Sequence, residues 1–551
     1  MKQLPYIAAA ALILIGTSPR TIAQDNNPTG ITGVFNGNSN TAGSYDPYTA
    51  NATRTVVDLT VAGAVGEYPL QWSRTMNSRA ISSYNTSWFG GGGGWRHSYS
   101  WQIDQSGSLN RTDTQPSSYN VRYPDGRVVL FDSLQNGTYR GPAGVGDRFQ
   151  SFDVNATTRY VYLLLSDGGK VEFQAKAIEE PGYSECGECT VNCGGCLVPS
   201  TWSYTYTVKR IIDPFGGVTT LAADSAGRLA TISEPAGRWL KIIYDPTVTS
   251  RISKVQAGYG SGAGTLTQTV TYSYGTFNTS KVLLGASYSD GTSAAYTYQA
   301  ANDGAGGPLI LTCNDVRYPG RMKRIKYEFA QPGFHGQLRK EMHPDGTAVA
   351  TLAMSGNSRT ETRGDLQSRT FTYGVATQAG LAVPKPYLLS SVTDFSGNKT
   401  YFGYDGTTGY LTGVKDPRGN TTRFTRAPYT GRITSVTPPP DGNGPPVATQ
   451  YFYTDPNTGY YLNNVKDALG HTTQFLRDSK NRRYTTLYPD GGTEEIVYDL
   501  NGYNQVHTFK NRSGGVETTS TTRAASFAIT RPRPPRATRV RLLTKRNTSG
   551  T

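Results

Sequence analysis

Charge, sulfur and histidine are all scarce in this chain. Of its 551 residues only 17% are charged, and cysteine, methionine and histidine number 5 each. A helical protein of this length would be rich in Ala, Leu, Glu and Lys. Here 63 Gly and 37 Tyr stand among many Thr, Ser and Asn, a palette of strands and turns. The histidines, His97, His335, His343, His471 and His507, are scattered and form no HExxH pair, and no GxSxG elbow occurs. This excludes the zincin and hydrolase signatures, although a triad assembled in space leaves no such trace. Beyond the N-terminal leader no stretch is apolar for long enough to cross a bilayer as a helix.

The leader reads MKQLPYIAAAALILIGTSPRTIAQ. Lys2 gives a short basic region, 7–15 an apolar region, and Thr21-Ile22-Ala23 a small-residue exit. This predicts a secretory signal over 1–23, a mature chain starting near Gln24, and a secreted or cell-surface protein. The formal net charge of +14 is unevenly spread: residues 521–551 carry +8 and the leader +2, which leaves +4 for the body. A nucleic-acid partner would have to be argued from the tail alone.

A repeat organises the body. Asp213-Pro-Phe-Gly216, Glu234-Pro-Ala-Gly237, Asp394-Phe-Ser-Gly397 and Asp467-Ala-Leu-Gly470 each have a second acid eleven residues on, at Asp224, Asp245, Asp405 and Asp478. Asp416-Pro-Arg-Gly419 keeps the frame, with Ala427 in place of the second acid. A second half-unit, such as Gly227-Arg-Leu-Ala-Thr-Ile-Ser-Glu234, completes steps of 21, 22 and 23 residues from Asp213, Asp394 and Asp467. A shorter Asp-Gly form recurs, as in Tyr123-Pro-Asp-Gly126 and Tyr488-Pro-Asp-Gly491. Asp at the first turn position caps with its own side chain, Pro presets φ, and Gly accepts the conformation that follows. After each turn the residues alternate, and Leu221, Ile242, Phe402, Phe424 and Phe475 all lie eight positions past the turn acid. Period two at fixed phase predicts one wall of strands, stabilised by stacking because a lone hairpin is marginal.

Tyr244-Asp245, Tyr404-Asp405 and Tyr498-Asp499, the first two with an acid-x-x-Gly turn eleven residues before the Asp, resemble the YD repeats of the Rhs (rearrangement hotspot) proteins. The segment Tyr68-Pro-Leu-Gln-Trp-Ser-Arg-Thr-Met-Asn-Ser-Arg79, followed by Phe89, a glycine run and Gly94-Trp-Arg-His-Ser-Tyr99, is similar to the segment that precedes the repeats in that family. The resemblance spans roughly residues 55–515. It implies an all-β fold: an antiparallel ribbon that spirals into a hollow or partial shell, on a secreted or surface-exposed protein. Many members enclose a C-terminal toxic domain, and others bind carbohydrate or partner cells. The family's core-ending segment is missing here, so none of its self-cleavage residues carries over.

The division that follows is a signal peptide over 1–23, a flexible linker over 24–54, an N-terminal Rhs-associated β domain over 55–200, YD repeats over 201–518, and a basic tail over 519–551. The tail holds seven Arg, no acid and no alternation. It reads as a disordered arm or, the reading favoured here, as a truncated or frame-shifted end of a longer repeat protein.

Local chemistry is sparse. Cys186, Cys189, Cys193 and Cys196 form two CxxC pairs in a Gly-rich loop. In an exported chain they read as two disulfides, with a zinc tetrathiolate as the alternative, and Cys313 is left over. No other cofactor is implied. The turn acids Asp213, Asp394, Asp416 and Asp467 serve caps rather than glycoside chemistry. The glycines at 90–94 precede no helix that could cradle phosphate and read as a flexible loop, Arg363-Gly-Asp365 matches an integrin-type tripeptide by chance frequency, and His97 reads as a packing residue. Asn51, Asn155 and Asn420 head glycosylation sequons. The expectation is a non-enzymatic exported scaffold for a protein or toxin cargo, with a carbohydrate-binding adhesin as the alternative.

Overall fold

The computed structural model describes residues 45–518, apart from 79–87, 91–93, 106–108, 111–115, 135–136, 156–157, 181–183, 186–195, 198–200, 261–263, 300–308, 316–323, 330–335, 429, 443, 455–460 and 500–504. The described residues contain 42 strands and no helix. The leader, the tail, His335 and three of the four clustered cysteines lie outside them. Cys196 lies in the two-residue strand Cys196–Leu197, which pairs with Ser184–Glu185 at the base of the cysteine loop.

One antiparallel ribbon accounts for most of the chain. It starts at Gln102–Gln105, passes through Ser118–Arg122, Val128–Ser133 and Thr138–Arg140, and proceeds hairpin by hairpin to Val516–Thr518. The predicted turns build it. Asp213 Oδ1 accepts the amides of Phe215 (2.9 Å) and Gly217 (2.7 Å), while the Gly216 amide returns to the Asp213 carbonyl at 3.0 Å. Asp394 takes the amides of Ser396 and Asn398, Asp467 those of Leu469 and His471, and Asp416 that of Asn420. Gly216 and Gly397 both have φ near +80° (83° and 82°) with open space around them, so the backbone conformation alone requires glycine there.

Each repeat also carries a bulge. The pairing slips one residue immediately before Tyr244, Tyr274, Tyr404, Tyr453 and Tyr498. A bulge bends a strand and increases its twist, so a bulge in every unit curls the ribbon steadily in one sense. After roughly half its length the ribbon meets itself. The Gly144 amide donates to the Thr408 carbonyl at 2.6 Å. Tyr387 donates to Ala143, Arg432 to Ser166 and Tyr461 to Pro214, contacts 244, 266 and 247 residues apart in sequence. Turn tips of one winding thus rest on turn tips of the next, in order. The predicted all-β spiralling ribbon is the observed architecture.

Two boundaries differ from those read in the sequence. The linker expected to end at 54 has an ordered end: Tyr45–Asp46 pairs with the strand Asn51–Thr60, and Tyr45, Ala50 and Ala52 are buried. Small residues at 50 and 52 let that backbone approach the ribbon, where Leu338 donates to the Ala50 carbonyl at 2.7 Å. The boundary at 200 falls inside the sheet, because Thr201–Ile212 pairs along its length with Lys170–Glu180. The separate N-terminal unit is instead the small sheet Tyr45–Asp46, Asn51–Thr60, Gln71–Asn77 and Trp95–His97.

Candidate functional site

The small sheet touches the ribbon on every side of its first winding. Asn77 Nδ2 donates to the Asp125 carbonyl (3.0 Å), Ser78 donates to the Gly336 carbonyl (2.5 Å), and Trp95 Nε1 donates to the Tyr298 hydroxyl (3.2 Å). Tyr45 donates to Glu361, which also holds Arg369 at 2.7 Å. Contacts spread from Asp125 to Glu361 place the sheet inside the winding. It shares one hydrophobic core with ribbon residues such as Val255, Val270, Leu283 and Ile325.

At its centre is a fully buried ion pair. Arg74 Nε and Nη2 lie 2.5 and 2.8 Å from the two oxygens of Asp58, a bidentate fork. Tyr272 and Tyr288, from two successive ribbon strands, each donate to Asp58 at 2.6 Å. Trp72 Nε1 donates to the Tyr272 hydroxyl at 2.8 Å, and the guanidinium lies over the rings of Trp95, Tyr272 and Tyr296. Burial opposes the Arg74 charge, but Asp58 more than offsets it and raises the pKa well above the usual guanidinium value. A buried bidentate pair of this kind favours one docking pose, since separating it would leave a charge unpaired in the core; Arg74 Nη1 alone has no hydrogen-bond partner. His97 stacks on Trp72 with centroids 4.6 Å apart, and burial beside the Arg96 charge holds its imidazole well below the ordinary range. It packs as a neutral ring.

A second contact crosses the turn tips. Residues 62–68 run over three successive ribbon turns like a strap. Val65 donates its amide to Glu234 (3.2 Å), Glu67 to Asp213 (2.8 Å), and the Tyr68 hydroxyl to both oxygens of Asp167 (2.9 and 2.8 Å). Arg238 Nε returns to the Ala62 carbonyl at 3.1 Å. Asp213 therefore caps its own turn with one oxygen and holds the strap with the other. Burial, then Asp213 and Asp167, push the Glu67 carboxyl up, and burial does the same to Asp167.

The Tyr-Asp dipeptides divide their labour. Tyr244, Tyr404 and Tyr498 donate to the carbonyls of Leu229, Leu389 and Arg483, each fifteen residues back, at 2.9, 2.8 and 2.8 Å. These carbonyls belong to the residues paired at the preceding bulge. Arg426 and Arg477 stand at the same repeat position and reach Leu411 and Leu462 in the same way. Asp245 and Asp405 cap the following turn, Asp245 also pairing with Arg251 at 2.5 Å. Asp499 is buried and its amide donates to the Gln505 carbonyl at 2.8 Å, across a loop outside the described residues.

These residues do not converge on a pocket. Asp213 sits at the strap, whereas Asp394, Asp416 and Asp467 cap turns of the second winding. Among the described residues no group of three or more His, Cys, Asp or Glu side chains is arranged to hold a metal ion. No described helix is long and apolar enough to cross a membrane. Arg363 of the RGD tripeptide lies 3.6 Å from the Phe395 ring centroid, folded onto the wall. Asn51 is fully buried, so its sequon is closed to modification. Asp58 and Arg74 lie only 16 residues apart, but the ribbon residues that enclose them and the turn acids that hold the strap lie between 99 and 230 residues away, so the sequence reading missed both. Gly90, read as part of a flexible loop, is a close approach: its Cβ would stand 2.5 Å from the Lys281 carbonyl oxygen.

Residues 46–131 match the family model of a domain of unknown function, DUF6531. Among solved structures the chain is similar to a TcdB2-TccC3 complex (11% identity, TM-score 0.30, covering 84% of this chain and 30% of that one). It is also similar to the Tc holotoxin pore of Photorhabdus luminescens (10% identity, TM-score 0.24, 83% of this chain and 30% of that one). A third similarity is to the N-terminal domain of the effector SpvB from Salmonella typhimurium strain LT2 (12% identity, TM-score 0.22, 42% of this chain and 98% of that one). The chain spans less than a third of the length of the two Tc structures. No curated protein matches it.

Proposed function

We propose that this chain is the wall of an Rhs/YD-repeat β-shell: an exported scaffold that holds a protein cargo, such as a toxin domain, and has no catalytic activity of its own. The observation that carries this reading is the ribbon's return onto itself through Ala143, Ser166 and Pro214. Successive windings in edge contact make a wall. Several of the aromatics that a sugar-binding reading would need are covered in that wall, although Tyr259 and Tyr484 are exposed. Arg228, Arg482 and Arg512 cover the faces of Tyr244, Tyr498 and Tyr488 at 4.3, 4.3 and 4.5 Å. Rings covered in this way are poor platforms for a sugar, which sets the carbohydrate-adhesin reading second.

The test is protection. A small, protease-labile reporter fused after residue 551 is digested with the wall intact and again with Asp58 changed to Asn. Cargo held by the wall gives slow digestion in the first and fast digestion in the second. A reporter cut equally fast in both, and as fast as the free reporter, rejects the scaffold reading. Saturable binding on a glycan array would favour the adhesin instead.

A further inference from the structure

The outward face of the later repeats carries a pattern that the wall itself does not use. Directly paired residues of neighbouring strands point to the same side, so the register assigns that face. Phe452 is joined through Asn464 and Gln474 to the side of Leu476, and Leu476 through Thr485 and Glu495 to the side of Val497. Lys466 lies opposite Gln450 on the same side, and Arg423 reaches it through Thr425 and Ser435. Phe424 and Phe475 point the other way, in the phase that Leu221 and Ile242 turn towards the small sheet. The face of Phe452, Leu476 and Val497 therefore looks away from the interior.

These three side chains are 45%, 40% and 53% exposed. Each is the residue before a bulge, in strands that lie two apart in the sheet, so they stand in file at intervals of roughly 10 Å. Earlier in the winding the same position is Thr425 and Gly403, and at Gly403 the face is covered: a Cβ there would stand 2.8 Å from Leu381 Cβ. A single exposed apolar residue is ordinary, but three at one repeat position form a line. The line runs among cations. Arg423 and Lys466 are exposed, and neither is ion-paired with a described residue. Glu495, the one acid that the described strands beyond residue 399 place on this face, is held by Lys510 at 3.1 Å. Asp416 and Asp467, at the turns, take the side chains of Asn420 and His471.

We propose that this outward face docks on the surface of an anionic lipid bilayer. Phe452, Leu476 and Val497 enter the headgroup layer, and Arg423 and Lys466 meet the lipid phosphates. Charge alone would suit any polyanion, since cations near an anionic surface are drawn to it. The apolar file selects the bilayer: a soluble polyanion offers nothing to bury three hydrophobic side chains, whereas the interface accepts them together with long basic ones whose heads stay in water. The inference is independent of what the interior holds, because it needs only the outer side of the wall.

The test uses the full chain and two sets of vesicles, one of phosphatidylcholine and phosphatidylglycerol in equal parts and one of phosphatidylcholine alone. Co-sedimentation is expected with the first and not with the second, and it weakens as salt is raised. Arg423→Gln with Lys466→Gln lowers vesicle binding roughly fivefold for each cation removed. Phe452→Ser with Leu476→Ser and Val497→Ser lowers it about tenfold, while Leu266→Ser, at a residue of the first winding that is 51% exposed, leaves it unchanged. Should the triple variant fail to fold, Phe452→Trp carries the comparison: brominated phosphatidylglycerol should quench its fluorescence beyond that of the unsubstituted chain. No binding to the anionic vesicles, equal binding to the neutral ones, or no excess quenching at position 452 overturns the proposal. So does retention on heparin that the three apolar substitutions leave unchanged while vesicles are ignored, which would assign the face to a soluble polyanion.

Discussion

The two windings of the ribbon use the same repeat but lead different lives. In the first, the residue eight past the turn acid is buried: Leu221 is 3% exposed and Ile242 5%. In the second, Phe402, Phe424 and Phe475 occupy that position at the same phase and are only half-buried. The difference lies in what stands on the inner face. The first winding is filled by the small sheet and its Asp58–Arg74 network. Among the described residues none past Leu352 belongs to that large core, and the buried clusters that follow are small: Val383 and Leu388 with Tyr404, and Phe371 and Tyr373 with Leu389. Repeat sequence therefore sets curvature and pairing, while burial depends on a filler encoded elsewhere in the chain.

The largest way to break the contrast is to unseat the filler. Asp58→Asn leaves the Arg74 charge uncompensated in the core and should cost about 3–5 kcal/mol. Urea denaturation should show the loss, and amide exchange should rise through the strands 265–298 while those beyond 389 are unchanged. Equal exchange in both windings would mean that the sheet does not stabilise the first selectively.

The tyrosine lock provides a smaller test. Tyr404→Phe strands the Leu389 carbonyl in a buried setting and should cost about 1–3 kcal/mol. Tyr498→Phe, where the ring is only half-buried and water can reach the carbonyl, should cost less. The order is read from paired denaturation curves.

Turn glycines come next. Gly216→Ala and Gly397→Ala each force a left-handed alanine, about 1–2 kcal/mol. The two should agree closely, because the turns are alike in both windings. A much larger loss at 216 would show that the strap depends on the turn's shape.

Acid gives the smallest and most discriminating effect, because its sign differs between sites. Hydrogen bonds from Asn398 and Thr408 hold the carboxyls of Asp394 and Asp405 below the usual carboxylate range. Their stabilisation is present above the unfolded pKa and lost as pH falls through the folded one, below about pH 4. Glu67 and Asp167 at the strap are shifted upward. Their protonated forms are favoured in the fold, so their contribution is greatest in acid and is lost as pH rises through the folded pKa. Amide exchange on mild acidification should therefore slow at Glu67 and quicken at Gly397 and Gly409. Movement in the same direction at all three would contradict the assignment.

Much of this architecture was legible in the sequence because it is local. The acid-to-glycine spacing defines a turn within four residues, and alternation defines a strand within eight. The bulges were not legible: a slip of one residue leaves no compositional mark, and the residue that follows is Tyr in some units and Arg in others. Nor was the core of the first winding, whose decisive residues are one Asp and one Arg among many. Arg426 and Arg477 show why matching dipeptides undercounts the units, since a guanidinium reaches the same carbonyl as a phenol. Three of the four clustered cysteines and the tail lie outside the described residues.

The bulge in every unit has one further consequence. Since each hairpin brings its own increment of bend, duplicating a unit lengthens the coil without altering its radius, and deleting one shortens it just as quietly. Enclosed volume then becomes a heritable quantity adjustable in small steps, open to unequal recombination between near-identical segments, with no need to redesign a core.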